Sequence, residues 1–224
     1  MELQTEQLDW RDGDVPVSRQ FDDPYFSLDN GLAETRHVFL TGNELPSRFS
    51  DGFHIAELGF GTGLNLLATL DLWRSSGQTG MLRFTSFEAF PMQPNDMIRA
   101  QQAFPDLSGV AAELAPYWDT NSREIKRPDL HFTLVEGDAR DTLKTMKTPA
   151  DAWFLDGFSP AKNPELWEPD LLTLVARNTA PNGTAATYTA AGHVRRALDA
   201  AGLITTRIPG FGRKRHMTIA KKAT

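Results

Sequence analysis

From residue 53 onward, short apolar stretches alternate with longer segments whose apolar residues recur at helical spacing. The apolar stretches predict strands at 53–58, 82–88, 130–136, 150–156, 184–189, 204–208 and 216–220. The longer segments predict helices at 64–73, 95–104, 109–118, 139–146, 169–180 and 192–201, and we expect Pro116 to break the third of these. Such alternation is typical of a parallel sheet covered on both faces, and the short last loop predicts an antiparallel edge hairpin. The predicted fold class is therefore α/β, with a Rossmann-like, mostly parallel sheet of seven strands.

The first fifty residues follow a different pattern. Two short alternating stretches flank Asp12-Gly13-Asp14, which predicts a β-hairpin, and residues 31–40 predict a helix. Between them, residues 21–31 are dense in aromatic and acidic side chains without a clear period. Such a segment forms either a packed loop or a lid over a binding site. We expect a small N-terminal appendage at 1–50 and an α/β domain at 51–224.

A glycine-rich turn follows the first strand of the predicted sheet, in the stretch Glu57-Leu58-Gly59-Phe60-Gly61-Thr62-Gly63-Leu64. Glycines let the backbone turn tightly and approach a ligand closely, and the next helix offers unpaired N–H groups. A dinucleotide-binding loop needs its third glycine where Leu64 stands. The acid-x-Gly-x-Gly-x-Gly spacing instead resembles the cofactor loop of S-adenosylmethionine-dependent methyltransferases. The alternative is a strand-to-helix turn whose glycines serve packing alone.

Acidic residues stand at the ends of the first four predicted strands, namely Glu57, Glu88, Asp138 and Asp156. Ligands of open parallel sheets bind outside the carboxyl ends of the strands, so these acids are candidate ligand contacts. An acid after the second strand can accept hydrogen bonds from both hydroxyls of a ribose. An acid and amides after the third can hold an adenine amino group. For each acid taken alone, the alternative is a helix N-cap or a turn.

The segment after the fourth strand reads Asp156-Gly157-Phe158-Ser159-Pro160-Ala161-Lys162-Asn163-Pro164. It is similar to the acid, proline and aromatic cluster found at this place in methyltransferases that act on amino groups. An alkylamine is largely protonated near neutral pH, so it needs a group that orients it and helps its proton leave. Asp156 suits that role, and Phe158 suits stacking on a base or enclosing the methyl group. The alternative is that Asp156 caps the loop and the aromatic residues belong to the core.

Composition narrows the function classes. The chain has no cysteine, which excludes disulfides, thiolate metal sites and cysteine nucleophiles, and its five histidines show no metal-ligand spacing, so we predict no metal. The polar N-terminus and the absence of a long apolar run predict a cytoplasmic protein without a membrane segment. The net charge is −6, yet the last thirty residues are basic. That region is either a solvated tail or a phosphate-binding face.

Five motifs together resemble the methyltransferase domain of the bacterial MnmC-type tRNA 5-(methylaminomethyl)uridine modification enzymes. They lie at residues 21–36, 59–65, 87–91, 152–164 and 210–215, and they span nearly the whole chain. The resemblance implies a class I methyltransferase fold that transfers a methyl group from S-adenosylmethionine to the aminomethyl nitrogen of the tRNA wobble uridine. Well-known members also carry a C-terminal flavin-dependent oxidoreductase domain that prepares the amine, and this sequence has no room for it. We therefore expect no flavin in this chain. Either a separate enzyme supplies the aminomethyl group, or the chain is an isolated domain.

The resemblance also assigns roles to particular residues. It implies that Asp156 and Phe158 are catalytic and that the N-terminal segment closes the site. The cofactor residues it implies are Tyr25, Asn30, Glu34, Glu57, Gly59, Phe60, Gly61, Gly63, Glu88, Asp138, Ala139 and Asp156. The residues expected to bind the anticodon arm of tRNA are Lys162, Arg195, Arg196, Arg213, Lys214 and Arg215. Two alternatives stay open: a small-molecule amine methyltransferase or aminopropyltransferase, and a non-catalytic tRNA-binding module.

Overall fold

The computed structural model describes residues 7–11, 14–27 and 30–223. Its strands are β1 (Leu8–Arg11), β2 (Val15–Ser18), β3 (Asp23–Pro24), β4 (His54–Leu58), β5 (Leu82–Glu88), β6 (Glu124–Lys126), β7 (Leu130–Glu136), β8 (Ala150–Leu155), β9 (Thr179–Thr187), β10 (Leu203–Pro209) and β11 (His216–Lys222). Its α-helices are α1 (Gly31–Thr35), α2 (Leu64–Ser75), α3 (Pro94–Gln101), α4 (Ser108–Asp119), α5 (Ala139–Thr142), α6 (Pro169–Arg177) and α7 (Gly192–Ala200).

The main sheet has the strand order β10-β11-β9-β8-β4-β5-β7-β6. The five central strands are parallel, and β10 pairs antiparallel with β11 at one edge, as predicted. The chain runs outward from β4 through β5 to β7 and then returns to β8 on the other side of β4. This reversal creates a topological switch point, where the carboxyl ends of β4 and β8 leave a crevice for a ligand. The predicted α/β fold is confirmed.

The sheet buries aromatic residues on both faces, which explains why its strands read as nearly continuous apolar runs. In β8, Phe154 packs into the core that contains Phe84, Phe132 and Trp73, whereas its neighbour Trp153 packs into the core formed with α6 and α7. All five side chains are 0% exposed. Successive residues of a strand point to opposite faces, so one strand supplies both layers.

Several element boundaries differ from the prediction. Pro116 does not break its helix, because α4 continues to Asp119 while Leu114 and Trp118 on either side of the proline are buried and hold it in place. The strand predicted at 184–189 starts earlier, at Thr179, where its register with β8 is irregular. An eighth strand, β6, pairs antiparallel with β7, and its three residues are too few to give a readable pattern.

The N-terminal part forms the predicted hairpin, with β1 antiparallel to β2, and its turn residues 12–13 lie outside the described residues. Residues 36–40 continue α1 as a π-helical turn. Val38, Phe39 and Leu45 are buried in the same core as the main sheet. The boundary near residue 50 stays a prediction. Within the described ranges, no helix is long and apolar enough to cross a membrane.

Candidate active site

A cavity of about 1090 Å³ opens at the carboxyl edge of the sheet, at the switch point between β4 and β8. Most of the residues selected from the sequence lie in its wall. These are Tyr25, Glu34, Gly59, Phe60, Gly61, Glu88, Asp138, Ala139, Asp156, Phe158, Lys162, Arg213 and Lys214. The remaining ones are not part of the wall, namely Asn30, Glu57, Gly63, Arg195, Arg196 and Arg215.

The glycine turn is shaped by close backbone contacts. Gly59 has φ +86°, and a Cβ atom added there would lie 1.9 Å from the backbone oxygen of Asp156. At Gly61, with φ +53°, an added Cβ would lie 2.9 Å from the ring of Tyr25. No side chain fits at either position, so the loop keeps a bare backbone surface toward the cavity. Gly63 is the N-cap residue of α2 and adopts the left-handed conformation.

Glu88, at the end of β5, is held by the backbone of two loops. One carboxylate oxygen accepts a hydrogen bond from the N–H of Gly61 at 3.0 Å, and the other accepts one from the N–H of Phe90 at 2.9 Å. Burial raises the pKa of Glu88, while these backbone donors oppose the shift. The carboxylate thereby fixes the glycine turn and still has acceptor capacity toward the cavity.

For Asp138, the sequence left open a ligand contact or a helix N-cap. Its side chain caps α5 by accepting a hydrogen bond from the N–H of Arg140 at 2.8 Å, and it forms an ion pair with the Arg140 guanidinium at 2.6 Å. The hydrogen bond from Arg140 lowers the pKa of Asp138. Asp138 therefore is a helix cap, and with the buried Ala139 it also lines the cavity. Asn30 likewise caps α1, since its side chain accepts from the N–H of Ala33 at 2.9 Å.

Asp156 follows β8 directly and belongs to a buried network of polar groups. Its Oδ2 atom accepts a hydrogen bond from the amide Nδ2 of Asn65 at 2.7 Å. The same amide nitrogen donates to Oε1 of Glu57 at 2.8 Å. Burial raises the pKa of Asp156 to about 7, although the hydrogen bond from Asn65 acts in the opposite direction. Asp156 is thus a carboxyl group that gains and loses its proton near neutral pH.

Glu57 was expected to contact a cofactor, but it is 0% exposed and lies behind the glycine turn. Its second carboxyl oxygen accepts a hydrogen bond from the hydroxyl of Ser86 at 2.6 Å. Burial raises the pKa of Glu57 well above its usual range, which favours the neutral form. Its direct partners are Asn65 and Ser86, and it supports the site from the interior.

Aromatic side chains form one wall of the cavity. The ring of Phe158 stacks on Phe21 with centroids 4.8 Å apart and meets Tyr25 edge-on at 4.9 Å. Opposite them, the hydroxyl of Tyr188 donates to the carbonyl of Gly157 at 2.7 Å. Burial raises the pKa of Tyr188 well above its usual range, so it stays a neutral donor. Such a wall offers flat apolar surfaces suited to a planar ring.

Two cations of the cavity are paired within the chain. Lys162 donates to the carboxylate of Asp22 at 2.5 Å, and Lys214 donates to Glu34 at 2.6 Å. The Lys214 ammonium also lies 4.1 Å from the centre of the Tyr188 ring. Both carboxylates come from the N-terminal part, so these ion pairs join that part to the loops of the α/β domain. The Lys162–Asp22 pair is exposed, and exposed pairs contribute little to stability, whereas the Glu34 side chain is largely buried.

Sequence reasoning missed several residues of the site. Asn65, Thr35, Phe21 and Tyr188 line the cavity but were given no role. Asn65 stands at the end of the glycine motif. An amide side chain on the first helical turn after a ligand-binding loop could have been predicted to belong to the site. Tyr188 carried no such signal, because it follows β9 and meets the site only through the fold.

The fold and the cavity define a doubly wound α/β protein that binds its ligand at the switch point of the sheet. A family model described as S-adenosyl-L-methionine-dependent methyltransferase matches residues 106–223, more than half of the chain. The chain belongs to this family, and the predicted methyltransferase is thereby confirmed. The precorrin-6y C5,15-methyltransferase of Geobacter metallireducens, with a TM-score of 0.53 and 14% identity over 96% of this chain and 98% of that one, shows the same fold.

Relatives with higher sequence identity belong to one group of these methyltransferases. The tRNA 5-methylaminomethyl-2-thiouridine biosynthesis bifunctional protein MnmC of Hahella chejuensis is 43% identical over 95% of this chain and 36% of its own length. Its namesake from Caulobacter sp. (strain K31) is 46% identical over 93% of this chain and 37% of its own length. The chain spans about a third of the length of these relatives. The crystal structure of MnmC2 from Aquifex aeolicus covers 100% of this chain and 72% of its own, with a TM-score of 0.78 and 26% identity.

Proposed function

We propose that this chain transfers a methyl group from S-adenosylmethionine to the aminomethyl nitrogen at C5 of the tRNA wobble uridine, giving 5-methylaminomethyl-(2-thio)uridine. The names of the relatives supply the substrate class. The observation that carries the chemistry is the carboxyl group of Asp156, which lies in the cavity wall with a pKa of about 7, close to the aromatic wall around Phe158.

The residues of the cavity fit the cofactor. The turn at Gly59 and Gly61 is a cradle that any side chain would fill, and Glu88 has acceptor capacity left for the two hydroxyls of a ribose. Asp138 and Ala139 line the cavity and would recognise the adenine ring. The space of about 1090 Å³ suits a cofactor together with an acceptor base. When bound, the cofactor supplies an electrophilic methyl group.

Asp156 would prepare the acceptor. An alkylamine has a pKa of about 10.4, so its nitrogen is protonated near neutral pH and has no free lone pair. In its ionised form Asp156 would orient the ammonium group and take its proton, directly or through a water molecule. The freed lone pair would form the new N–C bond as the bond between sulfur and the methyl group breaks, leaving S-adenosylhomocysteine. Phe158 and Phe21 would exclude water and offer a surface for the uracil ring.

Transfer RNA would approach from the side of the loop between β10 and β11. Arg213 and Lys214 line the cavity on this loop, with Lys162 across from them, whereas Arg195, Arg196 and Arg215 lie outside it. Phosphates would replace the carboxylates that now pair with Lys162 and Lys214. We expect binding of the anticodon arm to weaken steeply with salt, and salt-insensitive binding would contradict this arrangement.

The N-terminal part would close the site over the bound base. Phe21 stacks on Phe158, and the carboxylate of Asp23 accepts a hydrogen bond from the N–H of Ser159 at 2.8 Å. Residues 21–27 would therefore act as a lid, which is one of the two roles that the composition of residues 21–31 left open. The primary amine must be supplied by another reaction, in a separate enzyme or elsewhere in a longer protein, and we place the reaction in the cytoplasm.

Mass spectrometry of wobble nucleosides tests the proposal. The chain is incubated with labelled S-adenosylmethionine and tRNA that carries 5-aminomethyluridine, and the tRNA is then digested to nucleosides. We expect the label only in the wobble nucleoside, as one added methyl group. Matched reactions contain tRNA without the aminomethyl group, or small alkylamines. Label in the small amines but not in tRNA would identify a small-molecule amine methyltransferase instead.

A further inference from the structure

Asn65 is the second residue of α2 and is 5% exposed, and all the polar atoms of its side chain are used. Its Nδ2 donates to Glu57 at 2.8 Å and to Asp156 at 2.7 Å, and its Oδ1 accepts from the hydroxyl of Thr35 at 2.9 Å. Only the nitrogen can donate to two acids, and only the oxygen can accept from Thr35. The orientation of the amide is therefore fixed by its partners.

The network around Asn65 occupies only one oxygen of Asp156. Among the described residues, no hydrogen-bond donor contacts the other oxygen, Oδ1. Glu57, behind the amide, accepts a hydrogen bond from Ser86, and burial raises its pKa well above the usual range. The two neighbouring carboxyl groups thus differ in their surroundings, because Glu57 is fully enclosed whereas Asp156 lines the cavity.

We propose that Asn65 is a positioning residue for methyl transfer, whose amide group holds Asp156 in one orientation and stabilises its ionised form. This inference rests on the role proposed above for Asp156. A carboxyl group with one oxygen fixed by a side-chain donor presents its second oxygen to the acceptor in a defined direction. The charged or titratable groups that face Asp156 from the surrounding elements are Glu57 on β4, Glu34 on α1, Lys214 in the β10–β11 loop and Tyr188 after β9.

Carbon-13 NMR of the side-chain carboxyl groups tests the electrostatic part in the chain without cofactor. The Asp156 signal is assigned by its absence in Asp156→Asn, and it should titrate near pH 7 in the wild type. In Asn65→Leu, which is similar in size but has no donor, we expect the midpoint to rise by about one pH unit. Asn65→Ser, which is too short to reach both acids, provides the same test if leucine is not accommodated.

Thr69→Val is the matched control. Thr69 is 0% exposed one turn further along α2, and its hydroxyl donates to the backbone oxygen of Asn65 at 2.6 Å. Its replacement disturbs the same helix without removing a donor from Asp156. We expect the Asp156 midpoint to stay at its wild-type value in this variant. An equal shift in Thr69→Val and in the Asn65 variants would assign the effect to general loosening and overturn the inference.

The pH dependence of kcat provides the second readout. With tRNA as the acceptor, we expect the inflection of the profile to move to higher pH in the Asn65 variants by the amount seen by NMR, with little change in KM. A wild-type chain that does not methylate tRNA would refute the proposed function, while the NMR titration would still decide the effect of Asn65. An active wild type with unchanged midpoints and profiles in the Asn65 variants would refute this inference alone.

Discussion

Glu88 and Asp156 follow two strands on either side of β4, but their carboxyl groups are held in different ways. Glu88 accepts hydrogen bonds from backbone N–H groups of Gly61 and Phe90. Asp156 accepts one from a single side chain, Asn65. Backbone donors are built into the loop and favour the ionised carboxylate against the burial that raises the pKa of Glu88, which suits the binding of a ligand. A side-chain donor oriented by its own partners leaves the charge adjustable, which suits a group that must gain and lose a proton.

The largest expected effect is on turnover. Asp156→Asn keeps the shape of the side chain but cannot accept a proton, so kcat should fall by about 10²–10⁴-fold. The dissociation constant for S-adenosylmethionine should change little, because the donors around Glu88 are untouched. Single-turnover methylation and calorimetric titration measure the two quantities. Wild-type activity in this variant would remove Asp156 from the mechanism and with it the contrast between the two acids.

Gly59 lies where the glycine turn, which holds Glu88, contacts the loop that carries Asp156. An added Cβ there would lie 1.9 Å from the backbone oxygen of Asp156. We expect Gly59→Ala to lower the free energy of unfolding by about 4 kcal/mol or more, from the clash together with its positive φ. Gly77→Ala is the control, because Gly77 has φ +74° and no atom within 4 Å of an added Cβ. It should cost only about 1–2 kcal/mol in urea unfolding. Equal costs would show that the contact between the two loops is not tight.

A smaller effect is expected on cofactor affinity. Glu88→Gln replaces one carboxylate oxygen by an NH₂ group that cannot accept from Gly61 or Phe90. Loss of the charge also weakens the hydrogen bonds proposed between Glu88 and the ribose hydroxyls. At about 1.5–3 kcal/mol, this raises the dissociation constant for S-adenosylmethionine roughly ten- to hundredfold. We expect kcat at saturating cofactor to change much less. Calorimetric titration measures the affinity. A fall in kcat with unchanged affinity would contradict the assignment of Glu88 to cofactor binding and assign it a role in turnover instead.

The smallest effect concerns stability against pH. The pKa of Asp156 is about 7 in the folded chain and 3.8 for an ordinary aspartate, so between these values the folded state holds a proton that the unfolded state lacks. The wild type therefore loses stability as pH rises toward 7, whereas Asp156→Asn does not titrate there. Relative to the wild type, Asp156→Asn should gain about 2 kcal/mol between pH 5.5 and 8.5 in urea unfolding. Asp106→Asn, at an exposed acid, is the control and should show no such gain.

The sequence by itself determined most of the sheet and much of the site. The short apolar runs of the strands and the alternation of strand and helix are local properties, so β5 and β7 were predicted with their observed bounds. Parallel strands place their carboxyl ends at one edge, so acids after strands, such as Glu88 and Asp156, were expected to converge, and both line the cavity. The glycine turn could be recognised because few other residues tolerate its backbone angles.

Only the tertiary structure decided which groups meet inside the site. Glu57 turned into the interior, where its partners Asn65 and Ser86 lie 8 and 29 residues away. Lys214 pairs with Glu34 across 180 residues, so a cation expected to face a phosphate is neutralised within the chain. Hydrogen bonds and ion pairs of this kind depend on the meeting of distant segments and leave no periodic trace in the sequence. The same applies to the amide of Asn65, whose contact with Asp156 spans 91 residues.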